Sequence, residues 1–232
     1  MRRLLAGFLA SVLVFLLLCE FTLPVLAERA IESEMARSSL KPEGVEARLF
    51  AFPAAKLLLG WFDGISLELR GAALGGCRAA LVSIQIPRGS FDPGEIARGE
   101  GVALRTSGPM KVRIVFSERD LNDYIRTIDV PGISDPEMEL VSRYVKLRGK
   151  VGILGSSFSF EMWGSFCIDD RGEIVFSPID VRVGRESLPP ELSRALASHI
   201  RFGLSSDKLP FAFRVKEVSA EPGCLVITGE GI

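Results

Sequence analysis

From Pro42 onward the chain is written mostly in two-residue alternation, the period of half-buried strands. Val45, Ala47, Leu49 and Ala51 alternate with Glu46 and Arg48. Ile65, Leu67 and Leu69 alternate with Ser66, Glu68 and Arg70, and Ala80, Val82, Ile84 and Ile86 repeat the pattern up to Pro87. Val112, Ile114 and Phe116 predict another strand. The longest alternation follows: Val141, Val145, Leu147, Val151 and Ile153 share one parity, and Phe158, Phe160, Met162, Phe166 and Ile168 share the next. Asp169-Asp170-Arg171-Gly172 reads as a hairpin turn. The returning strand carries Ile174 and Phe176 on one face, then changes parity to Ile179, Val181 and Val183, which predicts a bulge or sheet edge at Ser177-Pro178. A final hairpin runs from Phe211 to Glu221, turns at Pro222-Gly223 and returns over Leu225 to Gly229.

Helical signals are fewer. Residues 28–40 carry a loose stripe of Ile31, Met35 and Leu40. Pro53 opens an apolar stretch to Phe62, since proline suits a first helical turn. That stretch is apolar on nearly every side, so it should be buried or inserted in lipid. Asp63-Gly64 reads as a tight turn after it, and Asp92 to Arg98 as a short helical turn. Ser117 caps a helix over Glu118 to Thr127, with Leu121, Tyr124, Ile125 and Ile128 on its apolar side. Pro189-Pro190 starts another through Gly203, with Leu192, Leu196, Ile200 and Leu204 on one side. Eight or nine turn-joined strands with three short-to-medium helices make an α+β domain with an antiparallel sheet. Its apolar face must be covered, and the helices are the available cover. A groove between them would suit acyl chains. The candidate lining residues are Leu57, Leu58, Trp61, Leu121, Tyr124, Ile125, Leu196 and Ile200, all on the apolar sides of helices.

The N-terminus has a different texture. Arg2-Arg3 precede an apolar run from Leu4 to Leu18, then Cys19-Glu20, a second greasy stretch to Leu26, and Ala27. That order is an export signal. Val25-Leu26-Ala27 offers a cleavage site, yet Leu4 to Ala27 is long enough to remain as an anchor, about 20 apolar residues being sufficient. Leu18 before Cys19 is larger than a lipidated cysteine prefers. Each alternative places residues 28–232 outside the cytoplasm, secreted or held at the cytoplasmic membrane, because the basic end stays inside. The expected organisation is a signal peptide or anchor over 1–27, a helical stalk over 28–43 and one domain over 44–232.

Composition narrows the function. The 232 residues carry 28 Lys+Arg against 29 Asp+Glu, net −1, with no basic block in the body, so nucleic acid is not an expected partner. His199 is the single histidine, there is no GxSxG elbow, and no phosphate loop or dinucleotide glycine pattern follows a strand. Asp169/Asp170 are turn formers, and Asp120/Asp123 sit on the open side of a short helix. Cys77, Cys167 and Cys224 are far apart without CxxC spacing; they read as small buried hydrophobes, with one disulfide as the alternative. Trp163 reads as core. No metal, cofactor or catalytic set is expected.

Four segments in order resemble the LmeA-like phospholipid-binding family of bacterial envelope proteins. They are Phe52-Pro53 through Gly60 with Phe62 to Leu69; Val115 to Tyr124 with its Ser-capped Asp-Leu helix; the central hairpin with its Asp/Gly turn; and Leu209 to Val218 followed by Gly223 to Gly229. The resemblance implies a tubular lipid-binding fold, a long curved antiparallel sheet wrapped around a few helices. It implies binding of phospholipid or another acyl lipid, envelope lipid maintenance or transfer, work at a membrane surface, and no catalytic residues. The alternative is a ligand-free scaffold docking an envelope protein partner, a membrane enzyme or a morphogenesis complex.

Overall fold

The computed structural model describes residues 2–94, 104–127, 133–153, 156–169, 172, 174–184, 186–187 and 213–231. Helix α1 covers Arg2–Ala36 without a break, so the apolar run and the expected stalk form one helix. Among the described residues no helix is long and apolar enough to cross a membrane. The described side chains of α1 begin at Ser11, so most of the Leu4–Leu18 run lies outside that statement.

Strands β1 (Gly44–Phe50), β2 (Trp61–Leu74), β3 (Cys77–Ser90), β5 (Met110–Ser117), β12 (Cys224–Gly231) and β11 (Phe213–Glu221) lie side by side in that order, and the short β4 (Arg105–Thr106) adds to β3. A second sheet has the order β10 (Glu186–Ser187), β9 (Ile174–Val183), β8 (Ser156–Ile168), β7 (Tyr144–Ile153), β6 (Ile133–Val141). Every pairing is antiparallel. Helix α2 (Glu118–Thr127) follows β5. The protein is α+β, as the alternation predicts, with its described strands divided between two sheets. They number twelve rather than eight or nine, two of them only two residues long.

Alternation works because each sheet turns one face to a shared core. Leu69, Val82, Ile114, Phe116, Leu225 and Ile227 of the first sheet join Met138, Val145, Met162 and Ile174 of the second in one buried cluster. Burying each such side chain contributes roughly 1.5–3 kcal/mol at most. The sheets meet at two turns: the Arg143 amide donates to the Ala220 carbonyl (3.0 Å) and the Gly223 amide to that of Leu140 (3.3 Å).

Several local expectations change. Asp63-Gly64 is not a turn; both lie inside β2, where Gly64 pairs with Phe50 and Pro87. The reversal after β2 is Gly75-Gly76 alone, both at positive φ, the left-handed geometry a two-residue hairpin demands. The long alternation from Val141 is broken at Ser142-Arg143, where β6 turns into β7 with Arg143 at φ 68°. The parity change at Pro178 is a bulge: Gly164 pairs with Pro178 and Trp163 with Asp180, leaving Ile179 unpaired and exposed rather than facing the core. Trp163 is not core either. It shares the opposite face with Glu161, to which its indole N–H donates (2.8 Å), and Lys146 lies 4.7 Å over its ring. These hydrogen bonds from Trp163, then Lys146, hold the Glu161 carboxyl below the usual glutamate range. The cysteines are free thiols; Cys77 is buried, but Cys167 is exposed and Cys224 half-buried. The expected helix over Pro189–Gly203, with Leu196, Ile200 and His199, lies outside the described residues, as does most of the Asp92–Arg98 turn.

Candidate functional site

The expected lining residues fall into two groups on separate apolar clusters. The first group sits on α2. Its start is fixed by Ser117, whose hydroxyl accepts the Asp120 amide (3.1 Å) and donates to the Asp120 carboxylate. The Glu118 amide donates to the Gly223 carbonyl (2.9 Å), which seats the helix on the β11–β12 turn. With the start fixed, the i, i+3, i+4 spacing of Leu121, Tyr124 and Ile125 faces the sheets. Leu121 is fully buried, and Tyr124 and Ile125 are half-buried against the main core.

The opposite flank of α2 is polar. The Asn122 side chain donates to the Met138 carbonyl (2.7 Å) and accepts the Met138 amide (2.7 Å). One turn earlier, Glu118 Oε2 accepts the Leu140 amide (2.7 Å). Both bonds go to β6, an edge strand of the second sheet among the described residues, so α2 takes the place of a next strand.

A cavity of about 650 Å³ lies between α2 and the β2–β3 hairpin, lined in part by Arg70, Gly76, Arg78, Arg119, Asp120 and Tyr124. Arg78 is paired with Glu43 across its rim, and Asp123 with Arg126 at 3.6 Å. Its walls are therefore mixed and polar rather than greasy. Cys77, beside it, contacts the Asp120 carbonyl at 3.8 Å. Burial, then the nearby Asp120 charge, pushes its thiol up to about 12, so it is a neutral thiol and not a nucleophile. Burial likewise raises the Tyr124 phenol.

The second group lies around the 3₁₀ helix Ala54–Leu59, which replaces the longer helix expected from Pro53. Leu57 is buried in a smaller cluster with Leu49, Phe62 and Ile65. Leu58 and Trp61 point away from it and are exposed, as are Phe50, Phe52 and Leu59. A helix that is apolar except for Lys56 gives no periodicity from which to tell its covered from its open side, so this division has no signal in the sequence.

Helix α1 supports this end. Glu28 Oε1 accepts the Leu49 amide (2.8 Å), Glu32 Oε1 the Ala47 amide (3.1 Å) and Glu20 Oε2 the Ala54 amide (2.7 Å). Ala47 and Leu49 belong to β1, one of the two edge strands of the first sheet among the described residues. Leu23, Ala27 and Ile31 pack beneath, against the smaller cluster. One edge of each sheet, β1 and β6, is thus answered by acceptor side chains of a helix. The glutamates and Asn122 are functional in this sense, and sequence reading passes over them because an exposed carboxylate and a structural one look alike.

The acidic side chains described at this site are committed to structural bonds. Asp120 is bound to its own cap, Asp123 is paired with Arg126, and among the described residues no three His, Cys, Asp or Glu side chains gather as a metal site. The family whose description is LmeA-like phospholipid-binding matches residues 19–230. No curated protein and no solved structure matches the chain.

Proposed function

The chain belongs to the LmeA-like phospholipid-binding family, and from that premise we propose that it is an exported, non-enzymatic envelope protein that holds a phospholipid or another acyl lipid for envelope lipid maintenance or transfer. The family match over nearly the whole chain carries the reading. Two features support it. The apolar faces of both sheets and α2 converge on one continuous core, the setting in which an acyl chain is shielded from water. The basic-then-apolar N-terminus supports export and a membrane location.

The groove would run along the α2 side of that core, past Leu121, Tyr124 and Ile125. Leu58 and Trp61 are read as the membrane-facing end, with Leu57 buried beneath them. The polar cavity beside Tyr124 is the place we assign to a headgroup carrying both charges, since Arg70, Arg78 and Arg119 border it together with Glu43, Asp120 and Asp123.

Native mass spectrometry with lipid extraction tests this on the full chain purified from a bacterial membrane fraction and exchanged through detergent. One phospholipid retained per chain supports it. A well-folded chain that sheds all lipid on exchange overturns it, and a protein partner captured in place of lipid moves the reading to a docking scaffold.

A further inference from the structure

Between Phe50 and Trp61, five large apolar side chains (Phe50, Phe52, Leu58, Leu59 and Trp61) stand more than half exposed. The loop that carries them is firmly tied. Asp63 accepts the Phe52 amide (2.8 Å) and pairs with Lys56, whose ammonium also donates to the Phe52 carbonyl (2.9 Å). The Gly60 amide donates to Leu57 (2.9 Å) and the Phe91 amide to Gly60 (2.8 Å), while Ala54 and Leu57 are buried. Gly60 is at φ 78°, and a Cβ there would come within 2.0 Å of the Phe91 carbonyl oxygen, so this close approach admits only glycine. The five side chains cannot turn inward without breaking these bonds; their exposure is built in. Lys56 is the single charge in residues 50–62. Large apolar side chains held exposed on one tied loop mark a contact surface.

Its occupant is indicated by α1. The Ala54 amide bonds to Glu20, two residues beyond Leu18, where the Leu4–Leu18 apolar run ends. At 1.5 Å per residue, that sets the loop about 3 Å along the helix axis from the end of the run. Leu17, Leu18 and Phe21 of α1 are also more than half exposed. Loop and helix therefore expose apolar side chains at one level along the helix axis, and a bilayer covers both at once. Tryptophan and lysine near the loop are the residue types that settle at a membrane–water boundary.

We propose that Phe50, Phe52, Leu58, Leu59 and Trp61 form a rigid tip seated in the interfacial layer of a phospholipid bilayer beside α1, so that the domain meets the membrane at the start of β2. This rests on the lipid-binding, membrane-located reading above and names the surface through which the protein meets lipid.

The test uses the full chain with Trp163→Phe, which leaves Trp61 as its one tryptophan, reconstituted into phosphatidylcholine–phosphatidylglycerol vesicles with brominated acyl chains. Trp61 emission should shift to the blue, be lost more to bromines near the headgroups than to bromines near the chain ends, and resist iodide. Leu58→Asp with Leu59→Asp, both at exposed positions, should restore iodide access while the circular dichroism and Tm stay unchanged. Emission untouched by bromine and open to iodide overturns the tip. Iodide protection without bromine quenching also overturns it, since protein, including a second copy, would then be the cover. Lipid retained on extraction with a Trp61 that bromine leaves unquenched defeats the tip and leaves lipid carriage standing; a quenched Trp61 with no retained lipid does the reverse.

Discussion

The Asn122 side-chain amide pairs with the Met138 backbone at both ends, donating to its carbonyl and accepting its amide, each at 2.7 Å. That is the bonding a neighbouring strand would give, supplied by the chain's one asparagine. Only a side chain with a donor and an acceptor on one planar group can do this from a helix. Aspartate keeps one bond and sets a carboxylate against a carbonyl. Asn122→Asp and Asn122→Ala should each destabilise the fold by about 1–3 kcal/mol, read as a lower urea midpoint. A change below about 0.5 kcal/mol, the size of an ordinary surface substitution, would show that water replaces the pair freely.

The edge of the first sheet depends on α1 in the same way. Glu28 and Glu32 stay with the domain if the chain is cut after Ala27, but Glu20, Leu23 and their contacts with Ala54 and the smaller cluster are lost. The chain beginning at residue 28 should therefore be less stable than the full chain by roughly 2–3 kcal/mol. Hydrogen exchange should quicken first at the Ala54 amide. Equal stability of the two forms would mean that residues 20–27 only lie against the domain without holding it.

What the sequence makes legible is what one-sided burial imposes. β1, β2, β3, β5 and the closing hairpin follow from alternation because one face of each meets the core, and the Ser117 cap follows from local hydrogen bonding. The turn at Ser142-Arg143 is invisible because an arginine at φ 68° carries no turn chemistry. Asp63-Gly64 misleads for the opposite reason: a turn-forming pair lies in a strand because the aspartate is engaged by Phe52 and Lys56. Of the expected lining residues, Leu121, Tyr124 and Ile125 face the core as their spacing requires. The exposure of Leu58 and Trp61 depends on what α1 covers, a tertiary fact with no periodic trace.

The thiols should differ sharply in reactivity. Cys167 is exposed, whereas Cys77 is buried with its thiol near 12, so almost none is thiolate at pH 8. Maleimide followed by peptide mass spectrometry should label Cys167 at once and Cys77 only in denaturant. A raised thiol contributes stability that is whole below its unfolded value, about 8.5, and lost as pH rises toward 12. Cys77→Ala should flatten that alkaline loss. Rapid labelling of Cys77 in the folded chain would show that the β2–β3 hairpin opens.

Acid should act at the other end of the molecule. The Lys56 ammonium, then the Phe52 amide, hold the Asp63 carboxyl below the usual aspartate value. A lowered carboxyl contributes stability that is present above its unfolded value, about 3.9, and is lost as pH falls through the folded one. Protonation frees Lys56 and the Phe52 amide together, and these two hold the apolar loop open. The Phe52 amide should therefore exchange faster below about pH 3.9 than its neighbours in β1 and β2. Asp63→Asn should remove the pH dependence while leaving fast exchange at every pH. The carbon-13 titration of the Asp63 carboxyl gives the sign directly. A midpoint at or above the ordinary aspartate value would mean that the loop is held by its buried residues, Ala54 and Leu57, and not by this pair.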